Sequence, residues 1–147
     1  MNSKEIFRLL EKRCKGTFVG VFAKNTLPST LPPHRPLLLI CNTDPISKPG
    51  EHWIAMYFGR NGHGEYFDSL GQKPLVIFQQ FLDKFCANVQ CNEKQIQSSI
   101  SSFCGHYCVF YCLFKYLHYD LDSILNCFTD DTALNDAIVH KFVCHNL

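Results

Sequence analysis

Cys104 heads a strongly apolar segment, HYCVFYCLFKYLHY, with Gln97 seven residues before it and His52-Trp53 far upstream. A thiol is a weak nucleophile until it is deprotonated. The positive end of a helix and a nearby imidazolium both favour the thiolate, taking a cysteine pKa from about 8.5 into the range of roughly 3.5 to 7.5. These residue types are the ones thiol-based amide hydrolysis requires. A base must pair with the nucleophile, a third group must orient the base, and donors must meet the developing oxyanion.

Cys104 is the candidate nucleophile because it precedes the body of a predicted helix. Its backbone N–H then lies among the unsatisfied donors of the helix N-terminus. Gly105 follows, and the missing Cβ leaves room for a substrate backbone. Cys108 and Cys112 read as core fillers. The three cysteines fall four apart on one helical face, but structural zinc draws ligands from paired clusters on turns, and the chain has no CxxC. No metal is expected. His52 is the candidate base, since it alone of seven histidines stands at the mouth of a predicted buried strand. His106, two residues past Cys104, points to a different helix face. Asp68 is the group that would hold the second imidazole nitrogen and stabilise the imidazolium. A side-chain N–H for the oxyanion comes from Gln97 or from Gln95, which composition alone does not separate.

These groups need a scaffold. Ser3 to Cys14 reads as an amphipathic helix with Ile6, Leu9 and Leu10 on one side, opened by a capping-box pattern of Asn2 and Glu5 and closed at Gly16. TFVGVF (17–22) and LLLIC (37–41) read as strands, separated by the proline-rich connector 27–36. A second loop covers 42–50. WIAMYF (53–58) is a continuous apolar run and hence a central strand covered on both faces. GRNGHG (59–64) reverses the chain and EYFD (65–68) returns. An antiparallel hairpin carries Asp68 back beside His52, although a loop of this length leaves the register open. A helix from Pro74 to about Ala87 carries the apolar stripe of Leu75, Ile77, Phe78, Phe81, Leu82 and Phe85. Residues 88–102 are polar, a short strand and then a loop. Cys104 to about Tyr119 is apolar nearly all round and should cross the middle of the molecule. A last helix, about Thr132 to Phe142, follows the N-cap signal at Asp130-Asp131.

With 147 residues, 46% hydrophobic and 18% charged, the chain 1–147 is expected to form a single domain with a genuine core. The formal net charge of +1 supplies no bulk attraction to nucleic acid or anionic membranes. No run approaches the roughly 18 apolar residues of a membrane span. Charged residues interrupt the N-terminal apolar positions, so no secretory signal is expected. Nine cysteines, an odd number, point to reduced thiols in an intracellular, reducing compartment.

Taken together, HW at 52–53, FDS at 67–69, Gln97 and CGHYC at 104–108 resemble the adenovirus maturation protease family, the adenain-like cysteine proteases. That family belongs to a clan with the SUMO-specific proteases. The resemblance runs from the N-terminal helix to the nucleophile helix and is strongest in blocks 51–69 and 97–114. It implies an α+β, papain-like/adenain-like fold, a central mixed β-sheet packed against a buried helix with the nucleophilic cysteine at its N-terminus. It also implies Cys104 as nucleophile, His52 as base, Asp68 as orienting acid, Gln97 rather than Gln95 in the oxyanion hole, and Trp53 beside the site. Adenain-like substrates are viral precursor proteins cut near small residues such as glycine. A virus or a Maverick-type DNA transposon is the implied source, with the host nucleus or cytoplasm and the virion as locations if viral. The chain is expected to act as a monomer without a membrane.

Two departures stand out. Adenain has a glutamate where Asp68 stands, and an aspartate there resembles the SUMO proteases, so removal of ubiquitin-like modifiers is the rival activity. A non-catalytic binding domain with structural cysteines is the third reading. Adenain is also activated by a viral peptide joined through a disulfide and by DNA. The resemblance makes Cys86 or Cys91 the attachment point for such a peptide, while the near-neutral charge argues against DNA. The chemistry itself requires no cofactor.

Overall fold

The computed structural model describes residues 1–48 and 51–147. Pro49 and Gly50, the end of the expected 42–50 loop, lie outside the described residues. The helices are α1 (Ser3–Arg13), α2 (Val76–Phe85), α3 (Cys104–Tyr116), α4 (Leu121–Leu125) and α5 (Thr132–Asn146). The strands are β1 (Phe18–Ala23), β2 (Leu37–Asn42), β3 (Trp53–Phe58), β4 (His63–Phe67) and β5 (Asn88–Cys91).

Among the described residues the strands form one sheet in the order β1-β2-β3-β4-β5. The inner pairs β2–β3 and β3–β4 are antiparallel, and the outer pairs β1–β2 and β4–β5 are parallel. The sheet is thus mixed, and the apolar run 53–58 is its middle strand. Period-two alternation sends its side chains to two cores. Leu38, Ile40, Ala55 and Phe67 face a core built with α1, α3 and α5. Leu37, Leu39, Ile54, Met56 and Tyr66 face a second core closed by Phe78, Phe81 and Leu82 of α2. All six residues of β2 are buried, which explains an unbroken apolar run where a half-covered strand would alternate.

Helix α3 packs on β3 and touches α1 and α5. Its burial reaches even Lys115, whose ammonium lies 3.0 Å from Glu65 of β4. The same carboxylate accepts from Tyr111 at 2.7 Å and pairs with His63 at 2.8 Å, and Lys115 sits 4.1 Å from the centre of the Tyr57 ring. A charge buried this deeply is tolerable only when fully partnered. This network therefore sets how α3 lies on the sheet.

Element ends differ from the sequence expectation in physically readable ways. Helix α3 stops at Tyr116, three residues early, because His118 adopts a left-handed backbone (φ 69°). Strand β4 begins at His63 rather than Glu65, since Gly59 donates to the His63 carbonyl and closes the reversal tightly. Helix α5 continues past Phe142 to Asn146, with Val139 and Val143 in the core. Helix α4 was not expected; Asp120 caps it by accepting from Ser123 N–H at 2.7 Å, and Leu121 and Ile124 anchor it. The Asn2–Glu5 capping box forms in both directions.

Candidate active site

The β3–β4 register pairs Ala55 with Phe67. Both strands end just beyond that rung on the β3 N-terminal side, so His52 and Asp68 leave the sheet next to each other. His52 Nε2 lies 2.6 Å from Asp68 Oδ1, and both residues are buried. The other side of the ring meets the Cys104 thiol at the N-terminus of α3. With Nε2 occupied by the carboxylate, Nδ1 is the nitrogen left for the sulfur. His52, Asp68, Cys104, Gln97 and Trp53 all line one cleft of about 770 Å³.

The electrostatics of the pair follow from these contacts. Burial works against a charged His52, but hydrogen bonds and charge from Asp68 and Cys104 outweigh it, raising the pKa from 6.5 to about 9. Burial also disfavours the Cys104 thiolate. The hydrogen bond from His52 and the backbone N–H groups of Trp53 and Gly105 outweigh that cost, and the thiol titrates below its ordinary 9.0. A lowered thiol beside a raised imidazole is the condition for a thiolate–imidazolium pair at neutral pH. The contrast within α3 is sharp: Cys108 and Cys112, fully enclosed by apolar neighbours, are pushed well above 9.0. Of the three, only Cys104 has an imidazole and free backbone N–H groups beside it to offset burial.

Asp68 is itself held from several sides. Its Oδ1 accepts from Leu70 N–H at 2.8 Å, and its carbonyl accepts from Gly71 N–H at 2.8 Å. Gly71 has φ 69°, and a Cβ there would lie 2.7 Å from the Glu93 carbonyl, so this tight turn requires glycine. From the neighbouring chain segment, buried Asn92 accepts from Asp68 N–H at 2.9 Å and donates to Asp68 C=O at 2.6 Å.

Gln97 is equally constrained. Its Oε1 accepts from the fully buried Ser69 hydroxyl at 2.6 Å. Its Nε2 donates to the Ser101 carbonyl and hydroxyl, each at 3.1 Å. Ser69 thus fixes which end of the carboxamide turns away from it. The backbone around Gln97 hangs from the Ser69 carbonyl, from Tyr107 of α3, and from Asn135 and Asp136 of α5. Gln95, the rival, instead bonds the Gln97 carbonyl and Ser99.

Two expectations change. Gly105 does not open space for a substrate. A Cβ there would meet Met1, Trp53 and Ile6 at 3.3 to 3.4 Å, so the missing side chain lets α1 and the Met1–Trp53 contact pack against α3. Cys86 and Cys91 stand apart from the cleft, packed against the α2-side core with thiols raised above 9.0 by burial. The exposed thiols are Cys127 and Cys144. His106 turns away from Cys104, its ring 5.1 Å from Phe103 and 5.4 Å from His140. Sequence reasoning missed Asn92, Ser69 and Ser101. Of these only Ser69 carried a signal, as the residue after Asp68 in FDS.

Among the described residues no helix is long and apolar enough to cross a membrane. No protein-family model and no curated protein matches the sequence. The fold does match crystal structures of the ASFV pS273R protease. One is 17% identical with a TM-score of 0.66, covering 95% of this chain and 66% of that one. The selenomethionine form is 21% identical with a TM-score of 0.54, covering 74% and 44%. This chain thus spans about two thirds or less of the chains it resembles. The α+β arrangement expected from the sequence, a mixed sheet against a buried cysteine-bearing helix, is the fold these structures share.

Proposed function

We propose that this chain is a cysteine endopeptidase in which Cys104 attacks, His52 shuttles the proton, Asp68 orients His52, and Gln97 with the Cys104 N–H receives the oxyanion. The observation that carries this reading is the imidazole of His52, held by Asp68 at 2.6 Å and lining the same cleft as the Cys104 thiol, close enough that each shifts the other's titration.

The steps follow from the charges. The thiolate attacks the scissile carbonyl carbon, and the C=O electron pair moves onto oxygen. That oxygen meets the Cys104 N–H at the α3 N-terminus and the Gln97 Nε2. The Gln97 N–H groups are shared with Ser101 in this structure, so the oxyanion must draw one of them away. His52 then gives its proton to the departing amine, leaving a thioester on Cys104. Neutral His52 takes a proton from water, the hydroxide adds to the thioester, and the carboxylic acid is expelled as the thiolate and imidazolium re-form, ionising once it reaches solvent. Asp68 holds the ring in the tautomer both steps need.

The proposed substrates are precursor proteins, processed near small residues such as glycine by an adenain-like enzyme of viral or transposon origin. The sequence blocks around His52 and Cys104 support this. So does the cleft: Trp53 and Met1 stand beside Cys104, an arrangement suited to a small residue next to the sulfur. Activation by a disulfide-linked peptide belongs to the same reading, but Cys127 and Cys144 are more accessible attachment points than Cys86 or Cys91. A second reading, removal of ubiquitin-like modifiers, is favoured by one observation, the aspartate at position 68.

The test is incubation with a glycine-containing capsid-precursor peptide and, separately, with a ubiquitin-like precursor, using Cys104→Ala as the control. Cleavage of the peptide, absent in the control, is expected. Cleavage of the modifier precursor alone would replace the leading reading with the second. Cleavage that persists in Cys104→Ala would refute the nucleophile.

A further inference from the structure

The β4–β5 ladder has its last rung at Tyr66 and Cys91. Beyond it, the Asp68 N–H has no backbone partner among the described residues, and the Asp68 carbonyl has only Gly71 N–H of its own turn. Asn92, the residue directly after β5, fills that gap with its side chain. Its carboxamide accepts from Asp68 N–H at 2.9 Å and donates to Asp68 C=O at 2.6 Å. One planar carboxamide thus bonds both backbone groups of one residue, a double contact that in a parallel ladder takes two successive peptides. The same Nδ2 reaches the Lys94 carbonyl at 3.4 Å, and the side chain is buried, with the residue 3% exposed. Only a carboxamide of this length carries an acceptor and a donor side by side.

The residue so clamped is the one whose carboxylate meets His52. We propose that Asn92 is a positioning residue, extending the β4–β5 ladder by one side-chain rung so that Asp68 reaches His52 with the geometry that keeps the ring protonated. This inference rests on the thiolate–imidazolium reading of Cys104 and His52. It adds that the reach of Asp68 is set from the edge strand β5, 24 residues away in sequence. The turn 68–71 bonds Asp68 from within its own loop, and Asn92 adds the tie to the segment that follows β5.

The consequence is a shift in titration rather than only in stability. A displaced Asp68 loses a charge-assisted bond to His52, and the loss of such a contact moves an imidazole by about one pH unit. Alkylation of Cys104 by iodoacetate reads this directly. The anionic reagent is drawn to the imidazolium, so its rate falls on the alkaline side as His52 loses its proton. In the wild-type chain that fall is expected near the His52 pKa of about 9. In Asn92→Ala it is expected about one unit lower. Val143→Ala removes buried volume from α5 in the core, away from the cleft, and serves as the control for destabilisation as such. It should leave the alkaline fall in place.

Thermal unfolding of each variant establishes that it is folded. Should Asn92→Ala not fold, Asn92→Ser keeps a hydroxyl for one of the two backbone groups and is expected to show a smaller shift in the same direction. An alkaline fall in folded Asn92→Ala or Asn92→Ser that coincides with wild type would overturn the proposal. So would an equal shift in Val143→Ala. A wild-type chain that shows no alkaline fall would overturn the underlying ion-pair reading instead, which keeps the two failures apart.

Discussion

Replacing Asp68 by asparagine removes one charge and almost no volume, and the structure states what should follow. The carboxamide oxygen can still accept from Leu70 N–H, which Asp68 Oδ1 accepts at 2.8 Å, so the turn has no reason to move. The electrostatics change. His52 rises from 6.5 to about 9, worth about 3.5 kcal/mol in favour of the imidazolium at about 1.4 kcal/mol for each pH unit. Burial pulls the other way, so the favourable part supplied by Asp68 and Cys104 exceeds that net figure. With the carboxylate neutralised, only Cys104 still opposes burial, and His52 falls from about 9 toward its ordinary 6.5. A ring at 6.5 is protonated in roughly one molecule in ten at about pH 7.5, against nearly all in the wild type. Turnover and iodoacetate alkylation of Cys104 should therefore fall by up to about tenfold at that pH, and the alkaline fall near 9 should move to lower pH. The assay is the pH–rate profile of both variants between about pH 5 and 10, with thermal unfolding as the folding check. An Asp68→Asn protein with wild-type alkylation at neutral pH and an unmoved alkaline limb would refute the reasoning.

The other expectations are direct. Thermodynamic stability should be nearly flat in pH above both 6.5 and the thiol's lowered pKa and below about 9, where the windows of the two groups overlap. His52's raised pKa gives stability that is complete below 6.5 and lost as pH rises through about 9. Cys104's lowered pKa gives stability that is complete above 9.0 and lost as pH falls, so the two slopes oppose each other. A steep slope in urea titrations across that window would mean that only one of the two groups is shifted, and would contradict the pair. Cys104→Ala should lose all turnover and keep its unfolding temperature within a few degrees, because it removes one sulfur at the cleft surface; residual cleavage counts against the nucleophile. Lys115→Ala should cost about 3–5 kcal/mol in urea unfolding, since it strands the buried Glu65 carboxylate, and a loss under about 1 kcal/mol contradicts a buried ion pair. Ser69→Ala should lower kcat with little change in KM, because Gln97 Oε1 loses the bond that sets its amide; an unchanged kcat argues that Gln97 needs no such support.

The parts of this molecule that sequence made legible are those governed by local periodicity or by one strong residue type. The run 53–58, bounded by turn signals, reads as a strand covered on both sides, and the structure gives it those same bounds. The Asn2–Glu5 pair announces α1 because a capping box is local. The neighbourhood of His52 and Asp68 followed from a hairpin, although the rung Ala55–Phe67 did not, since the reversal at 59–63 includes a single helical turn whose length nothing in GRNGHG specifies. What stayed hidden depends on distant partners. Asn92 looks like any loop asparagine until Asp68 is beside it. Lys115 and Glu65, 50 residues apart, read as a solvated lysine and an ordinary strand glutamate. The role of Gly105 was misjudged because its neighbours Met1 and Trp53 arrive from other elements. Helix α4 escaped because five residues carry too little periodicity to rise above the surrounding loop.

The central claim is that one sulfur is activated by one imidazole, and competitive labelling of all nine cysteines tests it most directly. Accessibility alone ranks exposed Cys127 and Cys144 first, with Cys104 at only 9% exposure far behind. Under brief treatment with iodoacetamide near neutral pH, quantified by mass spectrometry, the account predicts the reverse order: Cys104 is modified first, and this priority vanishes in His52→Ala. Labelling that follows exposure in the wild-type chain, with Cys104 among the slow thiols, would contradict it.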